Sequence, residues 1–88
     1  MELRLIDGEF NQKDAKEIII QLINDKINFH VRRNFSSKIR FGLADEVSEN
    51  RIISLKSDLD TIVKLFDQKE ASDTKYRLHA NIEITPIQ

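Results

Sequence analysis

The chain has no cysteine, no tryptophan, one proline and two glycines among its 88 residues. Without cysteine it can form no disulfide and has no thiol chemistry, and this fits a reducing compartment. Because glycine stands only at positions 8 and 42, no glycine-rich phosphate-binding loop is possible. We therefore expect the protein to have no cofactor.

Long apolar runs and a dominant charge are also missing. The longest aliphatic run is Ile18–Ile20, far short of the about 20 residues that a membrane span requires. The first ten residues lack the apolar core of a signal peptide. A net charge of −1, from 14 basic and 15 acidic side chains, gives no overall field that would attract nucleic acid or an anionic membrane. We expect a single cytoplasmic domain, residues 1–88, that does not bind membranes.

The second half of the chain carries apolar residues at alternating steps of three and four. This spacing predicts one long amphipathic helix from about Glu46 to Lys69. Asp45 or Ser48 is placed to cap its first turn. The helix would pack lengthwise on a second helix through five seam residues, Ile52, Leu55, Leu59, Ile62 and Phe66.

An earlier helix and two terminal strands are also predicted. Asn11 is a good N-cap residue for a helix that runs to at least Asp25. Before it, residues 3–6 form a short strand that the pair Asp7-Gly8 would end. Residues 76–85 alternate strictly between apolar and polar side chains, which is typical of a half-buried strand. In that strand we expect Ile82 to be buried.

Residues 27–43 fit two periodicities, and the fold depends on which one holds. Helical spacing extends the first helix to about Ser36 and gives β-α-α-β, a helical hairpin beside the two terminal strands. Period-two spacing gives two more strands and the ferredoxin-like order β-α-β-β-α-β. The predicted second helix is about 36 Å long, and only the longer first helix would cover its seam. The sequence therefore favours an α+β fold with two amphipathic helices packed on a small antiparallel sheet.

Positive charge is concentrated at one place. Residues 30–44, the basic segment, hold four basic side chains and no acidic one. Two phenylalanines are interleaved with them, so the segment is a candidate contact for an anion or for nucleic acid. The simpler interpretation is a solvated helix end whose cations complement the helix dipole. The candidate binding residues are His30, Arg32, Arg33, Lys38 and Arg40.

No residue pattern indicates catalysis or a metal site. The two histidines, His30 and His79, have no second ligand at metal-binding spacing, and no serine lies in a nucleophile elbow. Both helices carry apolar residues beside their main stripe, and a two-stranded sheet alone is marginally stable. We therefore predict a non-enzymatic oligomerisation or protein-interaction module, most simply a homodimer. The alternative is a regulatory protein that binds nucleic acid or phosphate through the basic segment, although we do not expect nucleic acid to be the partner.

Overall fold

The computed structural model describes residues 1–67 and 73–88. The elements follow in the order β1 (Glu2–Asn11), α1 (Gln12–Phe41), α2 (Glu46–Phe66) and β2 (Lys75–Glu83). Two helices pack on a two-stranded antiparallel sheet that contains both terminal strands. The predicted β-α-α-β hairpin is confirmed, and the ferredoxin-like alternative is wrong because residues 27–41 stay helical.

Helix α1 begins and ends where its capping chemistry places it. The Asn11 side-chain oxygen accepts a hydrogen bond from the Asp14 backbone N–H at 2.8 Å, which confirms the predicted N-cap. Gly42 closes the other end in the left-handed conformation (φ 68°), with its N–H bonded to the Lys38 carbonyl at 2.9 Å. The helix thus runs past the predicted end at Ser36. The weak helix propensity of residues 28–31 is overridden by packing against α2.

Helix α2 starts at the cap that Asp45 supplies. The Asp45 carboxylate accepts from the backbone N–H of Ser48 at 3.4 Å and from its hydroxyl at 3.1 Å. Of the two predicted capping residues, Asp45 is therefore the N-cap and Ser48 is its donor. The predicted C-terminal end of this helix near Lys69 lies outside the described residues.

Helices α1 and α2 pack side by side. On α2, Leu55 and Phe66 are buried, and the other three seam residues are half-buried. Their buried counterparts on α1 are Ala15 and Ile27. At the end of the hairpin nearest the sheet, the Gln12 side-chain amide donates to the Phe66 carbonyl at 2.6 Å and satisfies a carbonyl in the last turn of α2.

The sheet pairs the two ends of the chain. Its register runs from Glu2 opposite Glu83 to Asn11 opposite Lys75, with a bulge in β1 between Arg4 and Ile6. The predicted end of β1 at residues 7 and 8 is wrong. Residue 7 pairs with His79 and residue 8 with Leu78, so cross-strand pairing carries the strand through a local breaker signal.

The alternation predicted for residues 76–85 holds as far as Asn81, the strand ends at Glu83, and the burial predicted for Ile82 is wrong. Tyr76, Leu78 and Ala80 are half-buried on one face, and Tyr76 packs edge-to-face on Phe66 at a ring-centroid distance of 5.0 Å. Ile82 lies on the same face yet is 40% exposed. The exposure arises because the helices cover the sheet mainly where β2 begins.

The molecule is flat and has a thin core. Its Cα extents are 50 × 32 × 14 Å and its radius of gyration is 16.3 Å, against about 12 Å for a compact chain of this length. Four apolar residues of the described chain are buried: Ala15, Ile27, Leu55 and Phe66. Most other large apolar side chains keep one side in solvent.

Candidate functional site

The end of the helical hairpin far from the sheet, residues 30–49, brings the predicted binding residues together with the start of α2. We call this part the hairpin tip. His30 is half-buried against α2, and Arg33 forms an ion pair with Asp45, with Nε 3.1 Å from Oδ2. The other three predicted residues are exposed and form no ion pair in the part of the chain that the structure describes; they are Arg32, Lys38 and Arg40.

Folding reduces the charge concentration that the sequence shows. The hairpin places three acidic residues, Asp45, Glu46 and Glu49, beside the four cations of the basic segment. The whole tip then carries a formal charge of +1. At about 100° per helical residue, Lys38 also lies about 140–160° around α1 from Arg33 and Arg40. The cations therefore do not share one surface, and an anion site here stays a prediction.

A polar network fills the inside of the tip. The hydroxyl of Ser48, which is 1% exposed, donates to Asp45 Oδ2 at 3.1 Å. Its single proton is used there, so the hydroxyl oxygen accepts from His30 Nδ1–H at 3.2 Å. In this arrangement the Nδ1 atom of His30 carries a proton.

The same three residue types form hydrolytic triads, but in a different order. In a triad the carboxylate orients the histidine, and the histidine takes the proton of an accessible serine. Here the carboxylate of Asp45 bonds the serine directly, and Ser48 is closed to solvent. The geometry joins two helices and presents no nucleophile to a substrate.

The Asp45 carboxylate contacts both the Ser48 hydroxyl and the Arg33 guanidinium. Partial desolvation acts to raise its pKa, but the hydrogen bonds from Ser48 and the interaction with the Arg33 guanidinium outweigh that effect. The pKa of Asp45 therefore lies below its ordinary value of 3.8, and the carboxylate is the form that the fold selects.

Two further side chains of α1 close the turn between the helices. Asn34 accepts from the Asp45 backbone N–H at 2.7 Å and donates to Glu49 at 3.4 Å. The Ser37 hydroxyl donates to the Leu43 carbonyl at 2.8 Å. The tip thus has polar side chains inside. Five large apolar side chains, the apolar tip residues, lie outside at 65–73% exposure: Phe35, Ile39, Phe41, Leu43 and Val47.

The sequence alone does not reveal this network, because it indicates Asp45 and Ser48 as alternative caps and His30 as a candidate binding residue. The available signal was the three-residue spacing of Asp45 and Ser48, at which an N-cap side chain accepts from the backbone N–H of the third helical residue. The contact with His30 depends on α1 and α2 packing side by side, and residues 30 and 48 are too far apart in sequence for a local pattern to show it.

An open groove of about 690 Å³ lies on the outer side of α1 near the sheet. One of its lysines, Lys16, also lies 3.7 Å from Asp67 of the neighbouring helix end. Two isoleucines give the groove an apolar floor, and lysine, glutamate and glutamine form its rim. Its lining includes Lys13, Lys16, Glu17, Ile18, Ile20 and Gln21.

The two histidines lie apart. His30 belongs to the tip network, whereas His79 lies on the exposed face of β2 opposite Asp7. Within residues 1–67 and 73–88, no three histidine or acidic side chains are close enough together to hold a metal ion.

Neither helix has, over its described length, an apolar stretch that would let it cross a bilayer. Comparison with protein-family models, with curated proteins and with solved structures finds no match for this chain.

Proposed function

We propose that this chain is a non-enzymatic oligomerisation and protein-interaction module that acts as a homodimer. The observation that carries the proposal is its surface area. The single chain exposes 7175 Å², whereas a folded monomer of 10.3 kDa exposes about 5,400 Å². The difference of about 1,800 Å² exceeds the roughly 800 Å² that each partner buries in a standard interface.

The composition of that surface supports the same proposal. Large apolar side chains are exposed at the tip, along α2 at Ile53 and Leu65, and on the sheet at Leu3 and Ile82. Monomeric proteins expose single apolar residues freely, but larger accumulations mark interaction sites. A second copy is the simplest partner, because in a two-fold dimer the same patch of each copy covers its equivalent on the other.

Two features weigh against the other functions that the sequence allows. The His30–Ser48–Asp45 network is ordered unlike a hydrolytic triad and is closed around Ser48, so it supports a structural role. The near-neutral tip gives little counterion release, so it supports weak binding to nucleic acid at most.

The absence of cysteine fits the cytoplasm, where we propose that the protein acts.

Sedimentation velocity across the micromolar range tests the proposal. We expect a species of twice the 10.3 kDa chain mass, with dissociation on dilution. Light scattering on the same samples gives an independent mass. A mass of one chain at every concentration would contradict the homodimer.

A further inference from the structure

The outer edge of β2 has no pairing strand in the described part of the chain. In the two-stranded sheet, each strand has one edge that no other described strand pairs with. Met1 and Ile84 exchange two backbone hydrogen bonds, at 2.7 and 3.0 Å. Because bonding directions alternate along an antiparallel strand, even-numbered residues of β2 face β1. The N–H and C=O groups of residues 75, 77, 79, 81 and 83 therefore point outward.

The two outer edges differ in how well they are protected against pairing. Strand β1 has a bulge next to Arg4, a glycine at position 8, and three acidic residues. Bulges and concentrated charge are the devices by which edge strands avoid pairing. Strand β2 also carries three charged residues, Lys75, Arg77 and Glu83, but it has nine regular residues with no bulge, glycine or proline, and Pro86 comes only after it ends. The edge of β2 is therefore the open one.

We propose that β2 pairs antiparallel with β2 of a second copy, about a two-fold axis at His79, to form a continuous four-stranded sheet. This inference rests on the proposed homodimer and assigns its interface. Full-length pairing about that axis puts Lys75 opposite Glu83 of the partner subunit, and the reverse pair follows by symmetry. Opposite charges directly across a strand pair are stabilising.

The other cross-strand pairs fit the same register. Even-numbered residues meet even-numbered ones, so the apolar faces of the two sheets join without interruption. Tyr76 then lies opposite Ile82 of the partner subunit and can cover a side chain that is 40% exposed in the single chain. A two-fold axis at residue 78 instead would pair Arg77 with a histidine and leave Glu83 without a partner. The register with its axis at His79 is self-complementary and pairs all nine residues of β2.

Hydrogen exchange of the unmodified protein tests the edge directly. Raising the concentration from the monomer to the dimer range should slow exchange at the outward amides of Arg77, His79 and Asn81. The inward amides of Leu78 and Ala80 are already bonded to β1 and serve as internal controls. A dimer whose outward amides stay unprotected would overturn this interface and leave the proposed homodimer intact. A protein that is monomeric throughout would overturn both.

Charge reversal tests the register. We expect Lys75→Glu and Glu83→Lys each to weaken the dimer about tenfold, because each creates two like-charge pairs. An equal mixture of the two variants should recover wild-type affinity, since all cross-strand pairs are then of opposite charge. Lys56→Glu, an exposed change on α2, matches the charge of the first variant and should have no effect.

Circular dichroism identifies any variant that fails to fold. The dimer affinity of the mixture is then calculated from the concentration of folded chains alone. Failure of the mixture of folded variants to recover affinity would contradict the Lys75–Glu83 pairing. An equal loss with Lys56→Glu would show that net charge, and not the β2 edge, controls the association.

Discussion

The two halves of the helical hairpin are built in opposite ways. Outside the tip, the helices enclose apolar side chains, with Ala15, Leu55 and Phe66 buried between the elements. At the tip, the helices enclose hydroxyl, amide, imidazole and carboxylate groups, and the apolar side chains lie outside. The hydrophobic pattern of the chain is thus inverted between one end of the hairpin and the other.

One part of the hairpin therefore stabilises the single chain, and the other part supplies exposed apolar surface. Burial of apolar area, worth about 25 cal/mol per Å², takes place mainly outside the tip. Hydrogen bonds at the tip add modest net stability but fix the geometry, because a buried polar group without a partner is costly. The apolar tip residues therefore contribute little to folding of the single chain and remain available for association.

The largest expected effect compares one phenylalanine from each half. Phe66→Ala should lower the free energy of unfolding by about 3–5 kcal/mol, because Phe66 is buried against Tyr76. Phe35→Ala should change it by less than about 0.5 kcal/mol, because that ring is 65% exposed. Urea denaturation at a concentration where the protein is monomeric measures both. Equal losses would remove the distinction between the halves.

The second test removes the centre of the tip network. Ser48→Ala should cost about 1–3 kcal/mol, because His30 and Asp45 each lose a buried partner. Ser57→Ala, an exposed change on the same helix, is the matched control and should stay within about 0.5 kcal/mol. If thermal unfolding places the two variants at the same midpoint, the network has no energetic role.

The third test uses the pH dependence of the tip. Because the pKa of Asp45 is lower in the folded than in the unfolded chain, its ionised form stabilises the fold at pH values above about 4. That contribution is lost as the pH falls through the lowered pKa. Asp45→Asn keeps a capping side chain and should flatten the acid side of the stability profile. Denaturation curves between pH 2 and 7 that are parallel for variant and wild type would contradict the assignment.

The smallest expected effect concerns the charge of the tip. At 50 mM salt we expect no binding of DNA or RNA by fluorescence anisotropy, because the tip cations are offset by Asp45, Glu46 and Glu49. The triple change of Arg32, Arg33 and Arg40 to Ala should then leave the signal unchanged. Clear binding that weakens steeply with salt, and is lost in the triple variant, would favour the nucleic-acid alternative.

Local patterns predicted those parts of the fold that depend on neighbours in sequence. The Asn11 cap and the helical spacing of the apolar residues of α2 follow from side-chain chemistry and helical periodicity. The extension of α1 through residues 28–31 was favoured only by the length of α2. It holds because tertiary packing overrides weak propensity, a competition that no single segment reveals.

Features that depend on distant partners were missed. Residues 7 and 8 match a turn signal, yet they pair with His79 and Leu78 from the far end of the chain. Alternation indicated the face on which Ile82 lies but not how far the helices extend over it. For the candidate site, the sequence showed the cations. It could not show that folding brings the acidic start of α2 beside them.

Strands from the two ends of the sequence make up the sheet, and this constrains the order of folding. Joining Asn11 to Lys75 closes a loop of 63 residues, numbers 12–74, at an entropic cost that includes about 4 kcal/mol for its length. Prior formation of the helical hairpin brings Gln12 to Phe66 and lowers that cost. We therefore expect the sheet to form last and to open first, with its amides exchanging at lower free energy than those of the helices. A chain would then present the β2 edge to a second copy only after its own hairpin had folded.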